Sequence, residues 1–134
     1  MDNIEVVEYT QDKFSEWDDF VLNSNNGTMF HLQKFLSYHK EDKFNWHHLM
    51  FYKKGKLIAV LPGTFENGIF ESPIGASYGS FVTNDIKFKT AMDLVTSLLN
   101  YGINNHVREF ILTPPPLIYE KEPNQNIEFA MRWQ

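Results

Sequence analysis

The chain has 134 residues, a formal net charge of −5, no cysteine, and aromatic side chains at 16% of positions. That length and aromatic content suit one domain with a single hydrophobic core, spanning residues 1–134. Scattered basic residues speak against nucleic acid as a partner, the lack of cysteine excludes a disulfide framework or thiol nucleophile, and no apolar run is long enough to span a bilayer.

The opening Met-Asp-Asn-Ile-Glu lacks the positive and apolar regions of a secretory signal, so a cytoplasmic location is expected. Ile4 to Tyr9 reads as a first strand. Phe14, Trp17, Phe20 and Val21 then recur at helical spacing, and Asn23-Ser24-Asn25-Asn26-Gly27 stops that helix. Thr28 is a cap for a second helix carrying Leu32, Phe35 and Leu36 on one side. Residues 46–52 and 57–65 read as strands joined by the basic hairpin tip Lys53-Lys54-Gly55-Lys56, and Asn67-Gly68 turns the chain into a short strand at Ile69 to Ser72. The sheet is therefore at least partly antiparallel.

From Ile86 to about His106, Phe88, Met92, Val95, Leu98, Leu99 and Ile103 recur at three- and four-residue intervals, the strongest helical pattern in the chain, with Asn84 or Asp85 as its cap. Glu109 to Thr113 reads as a strand that Pro114-Pro115-Pro116 terminates. The prolines and Tyr119 suit a rigid strand exit better than a peptide-binding register. Ile127, Phe129, Met131 and Trp133 near the end need a surface to cover them, in this domain or on a partner. Trp17, Phe20, Phe35, Phe88 and Phe110 are expected in the core.

Between the strand at Ile69 to Ser72 and the long helix lies Gly-Ala-Ser-Tyr-Gly-Ser, residues 75–80. Two glycines and two hydroxyls before a helix turn backbone N–H groups toward an anion, or form a plain connection. The segment is neither a Walker loop nor a dinucleotide fingerprint.

Trp17 through Val21, Asn25-Asn26-Gly27-Thr28 with Phe30-His31, Gly55-Lys56-Leu57-Ile58-Ala59-Val60-Leu61-Pro62 and Gly75-Ala76-Ser77-Tyr78-Gly79, taken together, resemble the N-terminal portion of FemAB-like acyltransferases of the GNAT superfamily, over most of residues 14–119. The resemblance implies an α/β fold, a GNAT-like mixed and largely antiparallel sheet flanked by helices. It also implies transfer of an acyl or aminoacyl group from an acyl-CoA-type donor to an amine on a sugar or cell-envelope precursor. Members are generally tandem units, of which this chain supplies one, with a homodimer or a second GNAT-like domain as possible partner. The turn holding the CoA pyrophosphate would fall on Gly75, Ala76, Ser77, Gly79 and Ser80, with the thioester near the separating strands.

Three side chains are candidates for the chemistry. Glu71, just before the glycine segment, is a candidate base or a solvated carboxylate. Tyr78 could orient a carbonyl or amine with its hydroxyl, or pack at the core edge. His31 could face the cleft, but no orienting partner is legible. Ser77 and Ser80 could contact phosphate or satisfy turn amides. His39 falls eight positions after His31. His47 and His48 point to opposite faces of their strand, which does not assemble a metal site, and no metal is expected. A non-catalytic acceptor-binding module and an assembly domain that completes a sheet in another subunit stand as alternatives to the enzyme.

Overall fold

A computed structural model describes residues 4–24, 32–33, 47–72, 81–84 and 86–112. The elements in chain order are β1 (Ile4–Glu8), a 3-10 turn (Gln11–Lys13), α1 (Phe14–Leu22), β2 (Leu49–Lys53), β3 (Lys56–Leu61), β4 (Thr64–Glu66), β5 (Ile69–Ser72), β6 (Val82–Thr83), α2 (Phe88–Asn104) and β7 (Glu109–Leu112). They form a four-stranded antiparallel sheet of order β1-β2-β3-β6 and a three-stranded sheet of order β4-β5-β7, in which only β5 and β7 are parallel. The expected second helix at Thr28, Phe35 and the tail lie outside the described residues.

The two hairpins follow from their turn residues. Lys54 and Gly55 have φ of 53° and 77°, and Asn67 and Gly68 have 55° and 80°, the paired left-handed conformation that matches the twist of two-residue hairpins. In the first hairpin Phe51 faces Ala59 while Tyr52 faces Leu57, so Ile58 is an extra residue on β3. This bulge places Leu57 on the same face as Val60.

The sheet separates two cores. Trp17 and Val21 of α1 bury against Met50, Leu57, Val60 and Val82 on one face. On the other, Leu94 and Leu98 of α2 pack with Leu49, Phe51, Ala59, Leu61, Phe70 and Phe81, and the cluster runs on to Phe65, Phe110 and Leu112 of the smaller sheet. The mixed sheet flanked by helices expected from the sequence is the one observed. Tyr52 fastens β2 to α1 by donating its hydroxyl hydrogen to Glu16 Oε1 at 3.0 Å.

Three expectations need correction. The strand read over 57–65 is two strands, because Pro62 has no amide to donate and the chain changes sheets at Pro62-Gly63. The long helix begins at Phe88 with Lys87 at the cap position, so Asn84 does not occupy it, and Asp85 lies outside the described residues. Its buried face is Ala91, Leu94, Val95, Leu98 and Gly102, while Phe88, Leu99 and Ile103 are 40%, 36% and 73% exposed. Small residues mark where the helix comes closest: a Cβ on Gly102 would sit 2.7 Å from Cζ of Phe110. Phe88 is thus a surface residue, whereas Trp17 is fully buried and Phe20 and Phe110 pack at the core margins.

Candidate active site

The run from Lys56 to Glu66 is a common neighbour for two strands. Its first half pairs with β6 and its second half with β5, so β5 and β6 follow one another along the same antiparallel neighbour. β7 runs parallel to β5 from Ile69 opposite Glu109 to Ser72 opposite Leu112, and among the described residues it is not paired with β6. α2 connects β6 to β7.

Residues 75–80 belong in sequence to the stretch between β5 and β6. Gly75, Ala76, Ser77, Tyr78, Gly79, Ser80 and His31 all lie outside the described residues. The stretch is bounded by buried anchors: Ser72 is fully buried and Phe81 is 2% exposed. In chain order β6 stands between it and α2.

Glu71 is described. It occupies the central strand of the smaller sheet, opposite Thr64 on one side and Ile111 on the other. Phe70 turns into the core toward α2, so strand alternation directs Glu71 to the other face, with Ile111. Glu66, Ile69 and Glu109 form the next registered row on that face. Three carboxylates and two isoleucines thus share a face.

The two adjacent histidines do point to opposite sides. His48 enters the α1 core, with ring centroids 5.5 Å from Trp17 and 5.8 Å from Tyr9. Its Nδ1 accepts the Gly63 amide hydrogen at 3.1 Å, and burial, reinforced by the neighbouring His47, pushes its pKa down to about 3. This imidazole is a neutral structural group.

His47 lies on the α2 side and joins three elements. Its Nε2 is 2.6 Å from the Tyr101 hydroxyl of α2, its Nδ1 is 3.6 Å from Glu8 Oε2 at the end of β1, and its amide donates to Gly63 O at 2.8 Å. The rings of Phe65 and Phe70 flank it with centroids at 5.7 and 6.3 Å. Burial, and then the Glu8 charge, hold the Tyr101 pKa above the usual phenol value. Sequence reasoning missed this constellation because its members are 39 and 54 positions apart. Only strand alternation, which puts Glu8 on the face of Ile4 and Val6, hinted at it. Among the described residues no group of three His, Cys, Asp or Glu is arranged to hold a metal ion, and no helix is long and apolar enough to cross a membrane.

No protein-family model matches the sequence, and no curated protein matches it. Among solved structures, an aminoglycoside N-acetyltransferase in complex with CoA superposes with a TM-score of 0.50 over 99% of this chain and 86% of that one, at 14% identity. The fold is GNAT-like, a mixed sheet flanked by helices. A GNAT family acetyltransferase of Staphylococcus aureus aligns over 85% of this chain and 88% of its own, with a TM-score of 0.47 and 13% identity. At these identities the likeness is one of fold. In this GNAT-like fold β5 and β7 form a parallel pair, and α2 leads from β6 to β7.

Proposed function

We propose that this chain is an N-acyltransferase domain of FemAB-like type that moves an acyl or aminoacyl group from an acyl-CoA donor to an amine on a sugar or cell-envelope precursor. The carrying observation is the GNAT-like mixed sheet, in which β5 pairs in parallel with β7 and precedes the glycine-rich segment in the chain. Gly75, Ala76, Ser77, Gly79 and Ser80 supply backbone and hydroxyl donors for the donor phosphates. The start of α2 fits the same anion: Lys87 occupies the cap position without a side-chain cap bond, and Lys89, paired with Asp93 at 3.7 Å, stands in the first turn.

Acyl-CoA, when bound, supplies an activated thioester carbonyl. The chain's part is to orient donor and amine and to stabilise charge on the carbonyl oxygen. Tyr78 and His31 act as orienting groups. Glu71, on the face shared with Glu66 and Glu109, attracts a cationic amine and removes its proton. Release of free CoA from acetyl-CoA that depends on added glucosamine tests this function, and release independent of any amine contradicts it.

A second reading, an assembly domain requiring another GNAT-like unit or a second copy, is favoured by the exposed apolar residues Leu99 and Ile103 on α2.

A further inference from the structure

We propose that Gln33 is a specificity residue for the acceptor, its side-chain amide donating a hydrogen bond to a hydroxyl oxygen of the amine-bearing molecule. The assignment rests on the acyl-transfer reading above and deepens it, since it makes the acceptor an amino alcohol.

Gln33 is 4% exposed, and its Nε2, which carries two N–H donors, has no hydrogen-bond partner. Among the described residues one other buried side-chain atom is in the same position, Asp93 Oδ2, and it has Lys89 Nζ at 3.7 Å to offset its charge. Burying a donor unpaired gives up its hydration without return, and an apolar side chain of the same length would avoid that loss. A buried polar group left in this state calls for a bound molecule or a function.

The backbone that carries the amide is held on two sides. The Gln33 amide hydrogen goes to Asp18 Oδ1 of α1 at 2.6 Å, and Leu32 packs against the cluster of Trp17, Val21, Met50 and Val60. Two consecutive residues thus tie this point of the chain to α1, on the face of the sheet opposite α2. A recognition group needs such support. The main-chain donor of Gln33 is used, so the spare capacity is in the side-chain nitrogen. His31, given an orienting role above, is two positions earlier, and two residues of chain span at most about 7 Å.

The chemistry of the amide selects its ligand. An N–H donor is not satisfied by an ammonium group or a metal ion, but it is by a carbonyl, ether or hydroxyl oxygen. A hydroxyl both accepts and donates, so it matches the carboxamide whichever way the amide is turned. A sugar amine carries hydroxyls as well as its nitrogen. An amine without hydroxyls leaves the donor as unpaired as it is in the free chain and gains nothing at this position. The bond is made equally in the ground state and the transition state, so Gln33 acts on KM and not on kcat.

The test compares the full chain with Gln33→Met, which keeps the side-chain length and removes the polar atoms. Without ligand, the variant is expected to unfold at the same urea concentration as wild type or a higher one, because the unpaired donor is gone. Glucosamine is expected to raise the urea midpoint of wild type and to do so less in the variant, while cyclohexylamine, an amine with no hydroxyl, acts alike on both. In turnover with acetyl-CoA the variant's glucosamine KM is expected to rise about tenfold at unchanged kcat, the scale of one hydrogen bond. Gln33→Leu repeats the comparison if the methionine variant does not fold. An equal response of the two proteins to glucosamine, or none in wild type, overturns the assignment. So does a lower ligand-free midpoint in Gln33→Met, which shows the amide already bonded in the free chain. The urea series needs no acetyl-CoA: Gln33-dependent glucosamine binding without CoA release overturns the acyl-transfer reading and leaves the hydroxyl site, whereas turnover with equal KM overturns the Gln33 assignment and leaves that reading.

Discussion

His48 Nδ1 accepts the amide hydrogen of Gly63 at 3.1 Å, so a buried imidazole closes the junction at which the chain leaves one sheet for the other. An imidazolium cannot accept that bond, and its charge would sit in the core between Trp17 and Tyr9. The folded pKa, about 3, is below the unfolded value of 6.5. The unfolded chain therefore binds the extra proton first. The His48 contribution is fully present above pH 6.5 and is lost as pH falls toward 3, by about 1.4 kcal/mol per pH unit inside that window. Urea unfolding at pH 7, 6 and 5 checks this, with His48→Gln flattening the dependence relative to wild type.

Gly63→Ala is expected to destabilise the fold by about 1–3 kcal/mol, the range for overpacking a filled core. The added Cβ would lie 2.5 Å from Cζ of Phe70, itself 1% exposed, and 3.0 Å from the Glu71 carbonyl oxygen. Urea midpoints should show the loss, and the second substitution Phe70→Leu should recover part of it by removing the ring carbon.

Gly102→Ala sets two effects against each other. Alanine in a helix interior gains about 1 kcal/mol over glycine, but this Cβ would meet Phe110 at 2.7 Å. Steric conflict wins because α2 and β7 are both fixed against the sheet, so a lower melting temperature than wild type is expected. A higher one would show that Phe110 moves aside freely.

Much of the architecture was legible because its signals are local. Asn67-Gly68 and Lys54-Gly55 announce hairpins through their dihedral demands, and the alternation of Ile4, Val6, Val7 and Tyr9 and the spacing of Trp17 and Val21 mark what is buried. The face of α2 was misread because large apolar residues were taken as its interior, whereas Ala91 and Gly102 make the closest approach. The Glu8–His47–Tyr101 group was not legible, since three separate elements bring it together. Of the site residues expected from sequence, Glu71 alone is among those described.

Ile103→Lys separates a solvated helix face from an interface. At 73% exposure the substitution should change unfolding free energy by less than about 0.5 kcal/mol if water covers it. Light-scattering mass then reads the assembly alternative: a wild-type dimer converted to monomer by this change places a second copy on α2, and an unchanged mass removes that face from any self-association.

Glu71→Gln is expected to lower glucosamine-dependent kcat by about a hundredfold, with acetyl-CoA affinity unchanged, if this carboxylate is the amine's base. Equal turnover in the two proteins would return Glu71 to a surface role.

Calorimetric titration of the folded chain with acetyl-CoA tests most directly whether the glycine-rich segment that follows β5 in the chain serves an acyl-CoA site. Saturable binding of one acetyl-CoA per chain, weakened when Gly79 is replaced by a bulkier residue, is the predicted result. A folded chain that gives no binding heat with acetyl-CoA or CoA across several temperatures would contradict it.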